Sequence, residues 1–194
     1  MKKLSLIMIA FSVLAFQACK NGGKDSKESA DSTNLTKDTS NNAAATGGIA
    51  VDKDDAKFVT TAANDGMAEV AAGKMAQDKA TNPRVKSFAS MMVMDHTKAG
   101  DELAAIAKSK NITLPAAPDA DAQKKADELS KKTGKAFDKA YVDAMVDGHE
   151  NAVKLFTDAS GNCKDSTLKA FATKTLPTLK MHLDSIKAIK KSMK

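Results

Sequence analysis

Apolar side chains recur every third and fourth residue over three long stretches of this chain, and that spacing restricts its fold more than any other feature. One stretch carries Val85, Phe88, Ala89, Met92, His96, Ala99, Leu103 and Ile106. The next carries Phe137, Tyr141, Met145, His149, Ala152 and Phe156, and the last Leu168, Phe171, Leu179, His182, Ile186, Ile189 and Met193. Each series marks one face of a 3.6-residue helix, which has to be buried against another element. A fourth stretch follows the line Phe58, Ala62, Glu69, Gly73 and Ala76 and is rich in small residues ("AEVAAGKMA"), so a neighbouring backbone can come close. Strand-like alternation is absent beside these patterns. Punctuation bounds the helices at about 54–80, 83–110, 134–159 and 165–192, with "DAQKKADELSKK" a short separate helix before the third. Pro83 suits a first helical position, the prolines of "NITLPAAP" end the second helix, and Pro177 should kink the fourth. An all-α, antiparallel four-helix bundle with a short extra helix between helices 2 and 3 follows.

The first 18 residues have a different purpose. "MKKLSLIMIAFSVLAFQAC" opens with two lysines, continues with an apolar run from Leu4 to Phe16 and closes on small residues before Cys19. That is the organisation of a secretory signal peptide, and the run is too short for a spanning helix of about 20 residues. Phe16-Gln17-Ala18-Cys19 resembles the lipobox of bacterial lipoproteins, with Phe16 where leucine is usual. The resemblance implies that Cys19 becomes the lipid-modified first residue, anchored to a bilayer without crossing it. Lipidation would consume that thiol and leave Cys163 alone in the turn-like "SGNCKD". From Lys20 to about Ile49 the only large apolar side chain is Leu35, so this segment should be a flexible tether. The expected division is therefore 1–18 signal peptide, 19–51 lipidated cysteine and disordered tether, and 52–194 the helical domain.

The formal net charge of +6 falls to +4 when Lys2 and Lys3 leave with the signal. Lysines and acids are interleaved, as on solvated helix faces. With one tyrosine and no tryptophan the chain lacks stacking platforms for single-stranded nucleic acid, which is excluded as a partner. A nucleophile elbow, an HExxH motif and paired catalytic carboxylates are all missing, so the sequence does not read as an enzyme.

All three histidines, His96, His149 and His182, fall on the apolar faces. Such a face covers about 3/7 of helix positions, so chance alone would place three there about 8% of the time. Buried singly, each would be a neutral core residue needing a partner such as Asp65, Asp95, Asp147 or Glu150. Buried together, they would begin a metal site, because bundle cores hold metals on side chains from facing helices. Glu69 could supply a fourth ligand. Met92 and Met145 lie one turn before His96 and His149, and thioether with imidazole suits copper(I). The Glu-x-x-His pairs of a di-iron centre are missing. Register is the difficulty: His149 lies about ten residues from its helix end and His182 about seventeen from its helix start, a height mismatch of roughly 10 Å. A faint repeat links "VKSFAS" (85–90) with "LKAFAT" (168–173), each leading to a histidine on the same helix face.

Several segments, "FVTTAANDGMAEVAAGKMA", "NPRVKSFASMMVMDH", "ITLP", "GKAFDKAYVDAMVDGHENAVKLF" and "TLPTLKMHL", together resemble a family of bacterial envelope proteins labelled predicted outer-membrane proteins or domain of unknown function. The resemblance implies a secreted or lipid-anchored, ferritin-like four-helix bundle and makes His96, His149 and His182 the family's recurring histidines; it implies no particular activity. The resulting expectation is an envelope lipoprotein, held to the outer membrane by lipid on Cys19 with its domain in the periplasm or at the cell surface. Its role would be non-catalytic, structural or partner-binding. The alternative is a bundle binding copper, zinc or iron, with His96, His149, His182, Glu69, Met92 and Met145 as candidate ligands.

Overall fold

The computed structural model describes residues 25–37 and 52–193, which form six helices. They are α1 (Ser26–Lys37), α2 (Lys53–Lys79), α3 (Pro83–Ser109), α4 (Ala120–Ser130), α5 (Gly134–Asn162) and α6 (Ser166–Ser192). The described fold is all-α, with α2, α3, α5 and α6 forming the packed core. Connections of three residues turn α2 into α3 and α5 into α6, which makes each pair an antiparallel hairpin. The hairpins pack through α2 against α5 and α3 against α6. Among the described residues no helix is long and apolar enough to cross a membrane. Cys19 and the apolar run from Leu4 to Phe16 lie outside them.

Side-chain caps start three of the four long helices where the sequence predicts, and α5 begins after Thr133 without one. The Asp52 side chain accepts from the N–H groups of Asp54 and Asp55, Asn82 from that of Arg84 with Pro83 next in line, and Asp165 from those of Thr167 and Leu168. Such caps satisfy N–H groups that have no partner inside a helix. Asn111, with φ at 57°, turns the chain out of α3 into the loop before α4. α6 stays helical through Pro177.

Two buried residues bind the hairpins to each other. Asp55, near the start of α2, accepts from the backbone N–H groups of Lys164 (3.1 Å) and Asp165 (2.7 Å) in the α5–α6 connection. Asp138, near the start of α5, accepts from Thr81 (2.9 Å) and Asn82 (2.9 Å) in the α2–α3 connection and from the Thr81 hydroxyl (2.6 Å). Each hairpin thus caps the turn of the other.

One expectation requires correction. Ser26–Lys37, inside the segment whose composition predicts a flexible tether, is helical and docks on α2 and the 111–117 loop. Its large apolar residue, Leu35, is exposed and the small Ala30 is its buried apolar side chain, so apolar burial contributes little. Polar side chains hold it. Asn34 donates to Thr113 O (2.8 Å) and accepts from Thr113 N (2.7 Å), Lys37 reaches Asn111 O (3.0 Å), and Ser26 Oγ accepts from Ala116 N (2.8 Å). An argument from apolar content cannot detect docking of this kind.

The core divides in two. One apolar cluster, around Phe58, Phe156, Phe171 and Leu179, lies toward the α5–α6 turn; the other, around Phe88, Met92, Phe137, Tyr141 and Ile186, lies toward the α2–α3 turn. The histidines occupy the layer between them.

Candidate metal centre

His96 comes from α3, His149 from α5 and His182 from α6, and their rings meet with centroids 5.4–5.6 Å apart. The register difficulty disappears for two reasons. α5 continues to Asn162, so His149 lies thirteen residues before its helix end and His182 sixteen after its helix start. That leaves a mismatch of roughly 4.5 Å at 1.5 Å per residue. Side chains also lean toward the N-terminus of their own helix, which carries His149 away from the α5–α6 turn and His182 toward it, closing the remainder.

Each ring is tied at one nitrogen and bare at the other. His96 Nδ1 lies 3.0 Å from Glu69 Oε2, His182 Nε2 lies 3.0 Å from Asp95 Oδ2, and His149 Nδ1 lies 2.8 Å from Met145 O and 3.5 Å from Glu69 Oε1. Ionised carboxylates and carbonyls only accept, so these ring nitrogens carry the hydrogens. The opposite atoms, His96 Nε2, His149 Nε2 and His182 Nδ1, are buried with no hydrogen-bond partner. In the tautomers that carry a single hydrogen, at the tied nitrogens, lone pairs stand at those three atoms. One nitrogen from each ring lies within 4.8 Å of the others. An ion about 2.0–2.1 Å from three imidazole nitrogens sets them about 3.5 Å apart, so closure takes a movement on the order of 1 Å. Carboxylates behind metal-binding histidines fix the tautomer and raise ligand basicity.

The electrostatics agree. Burial pushes His149 and His182 below the ordinary imidazole pKa, against the pull of Glu69 and Asp95. Burial alone would raise Glu69, but the hydrogen bond from His96 and the nearby imidazoles outweigh it and hold the carboxyl below the usual range. Phe88 sits 6.2 Å from both His149 and His182 and closes the site toward its apolar cluster. The Tyr141 hydroxyl is also buried without a partner, and burial keeps the phenol protonated.

The sequence-predicted residues divide accordingly. The three histidines converge. Glu69, a candidate fourth ligand, is buried beside them but faces their tied nitrogens. Met92 and Met145 are buried in the cluster around Phe88, and Met145 contributes its carbonyl oxygen to the site. Of the acids considered as partners, Asp95 fills that role, whereas Glu150 pairs with Lys187 at 2.7 Å and Asp65 accepts from Asn64 at 3.1 Å. Cys163 is a buried free thiol pushed up to about 12, first by burial and then by Asp55, which agrees with an incidental cysteine. A cavity of about 480 Å³, with Glu69, Asp95, His96 and His182 in its wall, reaches the site from the side opposite Phe88's cluster. Sequence reasoning missed it; the small residues Ala62, Ala63, Gly66, Ala99 and Gly100 on its wall were the available signal.

Residues 38–189 match the family model described as domain of unknown function DUF4142. The chain belongs to the DUF4142 family. Solved structures show how its fold is shared. A DUF305 fragment from Deinococcus radiodurans superposes with a TM-score of 0.63 at 11% identity, covering 72% of the DUF4142 chain and 96% of the fragment. CopM in its Cu(II)-bound form gives 0.61 at 16% identity over 72% and 97%, and CopM in its Ag-bound form gives 0.58 at 19% over 71% and 96%. At these identities the likeness concerns the fold. Among curated proteins none matches the DUF4142 sequence significantly. The donor set, three clustered imidazoles each offering one nitrogen within 4.8 Å of the others, is of the kind that suits a transition-metal ion.

Proposed function

We propose that this domain binds a transition-metal ion, copper foremost, through His96, His149 and His182. One observation carries the reading: three imidazoles cluster with one nitrogen of each within 4.8 Å of the others, and each ring has one buried nitrogen without a partner while its opposite nitrogen is tied. Leaving such groups unpaired costs about 1–3 kcal/mol each, and an ion would satisfy all three at once. Imidazole suits copper, zinc and iron alike. Copper is preferred because CopM, of similar fold, has been solved with Cu(II) and with silver. The buried Glu69 and part-buried Asp95 carboxylates would offset the ion's charge. Met92 and Met145 pack in the apolar cluster around Phe88, and the reading rests on the imidazoles.

The metal-binding reading displaces a purely structural or partner-binding role, because neither of those needs three buried imidazoles to cluster with one nitrogen of each unpaired. We place the domain in a ferritin-like bundle tethered to the envelope by lipid on Cys19, a reading supported by the lipobox-like Phe16–Cys19 segment. Metal analysis of protein purified from envelopes tests the first claim. The wild type should carry about one copper per chain, and the variant His96→Gln/His149→Gln/His182→Gln should carry none. Equal metal content in the two would refute it. Cys19→Ser should release the chain from membranes and abolish labelling by fatty acid; continued membrane retention would remove the anchor.

A further inference from the structure

The cavity beside the histidines opens to solvent at a rim that includes Lys74 and Asp101. Here about 480 Å³ stays open, within the range of small-molecule pockets, about 300–1,000 Å³. Its wall is formed by Leu103, Leu155, Phe156 and Leu179 on one side and by residues of minimal size on α2 and α3. A Cβ added at Gly66 or at Gly100 would meet nothing within 4 Å. Bare backbone alone would be no site, but the inner end is different. His182 is fully buried and His96 is 9% exposed; both belong to the cavity wall, and each has a ring nitrogen without a partner.

We propose that this cavity binds a small, mainly apolar molecule carrying one neutral nitrogen or sulfur donor, which takes the coordination position left open beside the three imidazoles. The inference rests on the metal-binding reading. Three imidazoles leave one site of a tetrahedral ion free, the arrangement of metal sites that accept exogenous ligands. Glu69 and Asp95 at the inner end disfavour a carboxylate or phosphate head, and the cation in the wall, Lys74, is exposed at the rim. The apolar walls accept a hydrocarbon body.

N-alkyl imidazoles test this. Methyl, butyl and hexyl members are titrated by calorimetry into copper-loaded protein whose metal content is measured before and after. Affinity should rise roughly three- to fourfold per added methylene as the chain enters the cavity, and electron paramagnetic resonance of the Cu(II) form should report an added nitrogen ligand. Gly66→Leu, which adds a side chain at the cavity wall where a Cβ meets nothing within 4 Å, should leave copper content unchanged and flatten the chain-length series. Gly100→Leu repeats the test nearer the rim, with thermal melts establishing that each variant folds. Copper bound with a flat series in the wild type, or a slope unaltered by both leucines, overturns the ligand proposal alone. Failure to bind copper at all overturns it together with the metal reading.

Discussion

Each imidazole of the cluster assigns different tasks to its two nitrogens, and Glu69 serves two rings at once. Removing its charge while keeping its shape, as in Glu69→Gln, should weaken copper binding about 10–100-fold, the usual cost of losing a carboxylate behind a ligating histidine. Competition against a chelator of known affinity measures this, with the exposed Glu150→Gln as an unaffected control. Acid should act on the same residues. Burial lowers the pKa of His149 and His182, so the folded protein resists protonating them whereas the unfolded chain takes up protons near pH 6.5. Below that pH the unfolded state binds more protons and stability falls; further acidification toward the lowered pKa of Glu69 removes its contribution too. The melting temperature of the metal-free protein should therefore drop steadily from pH 7.5 to pH 5, and a rise over that range would mean the rings are charged in the folded state. The positions of the three histidines were legible in the sequence because a 3.6-residue period reveals a face. Which nitrogen each would offer was not, since that depends on acceptors from other helices, Glu69 and Asp95.

At the scale of the helix, two glycines of α2 serve opposite ends. A Cβ at Gly73 would come within 2.9 Å of Val93 Cγ2 and 3.3 Å of the Ala89 carbonyl oxygen. Valine is stiff at χ1 and the carbonyl belongs to helix backbone, so neither yields easily. Gly73→Ala should destabilise the domain by about 1–3 kcal/mol through forced separation of α2 and α3. Gly66→Ala meets nothing within 4 Å and should gain up to about 1 kcal/mol of helix propensity. Urea denaturation of the two variants side by side separates the cases, and equal effects would mean that α2 and α3 do not approach as closely as described. The small-residue composition of α2 announces close approach in general; which glycine is at the contact and which faces a cavity depends on helix rotation, which composition does not encode. The same limit explains the register problem. Placing the end of α5 three residues early adds roughly 4.5 Å of apparent mismatch between His149 and His182.

Across the whole molecule, the two hairpins repeat each other more closely than the short similarity of "VKSFAS" and "LKAFAT" suggests. Asp55 and Asp138 are 83 residues apart, as are the connection residues they bind, Thr81 with Lys164 and Asn82 with Asp165, and the repeat phenylalanines Phe88 and Phe171. A single offset therefore relates the capping acids, the turns and the apolar faces that follow. The histidines break the symmetry: His182 lies 86 residues beyond His96, and Gly66 stands opposite His149 in the repeat, on the cavity wall. The reciprocal caps make a prediction that follows from the symmetry. Each buried carboxylate satisfies two backbone N–H groups at a helix start, and each N–H left unpaired costs about 1–3 kcal/mol. Asp55→Ala and Asp138→Ala should each lose about 2 kcal/mol or more, although neither residue touches the histidines. The two acids sit at opposite ends of helices about 40 Å long, so the double variant should lose the sum of the single effects to within a few tenths of a kcal/mol. Chemical denaturation of the two single variants and the double variant measures all three quantities. A negligible loss from Asp138→Ala alone, or a double variant no worse than either single, would show that the hairpins are not held together by reciprocal capping.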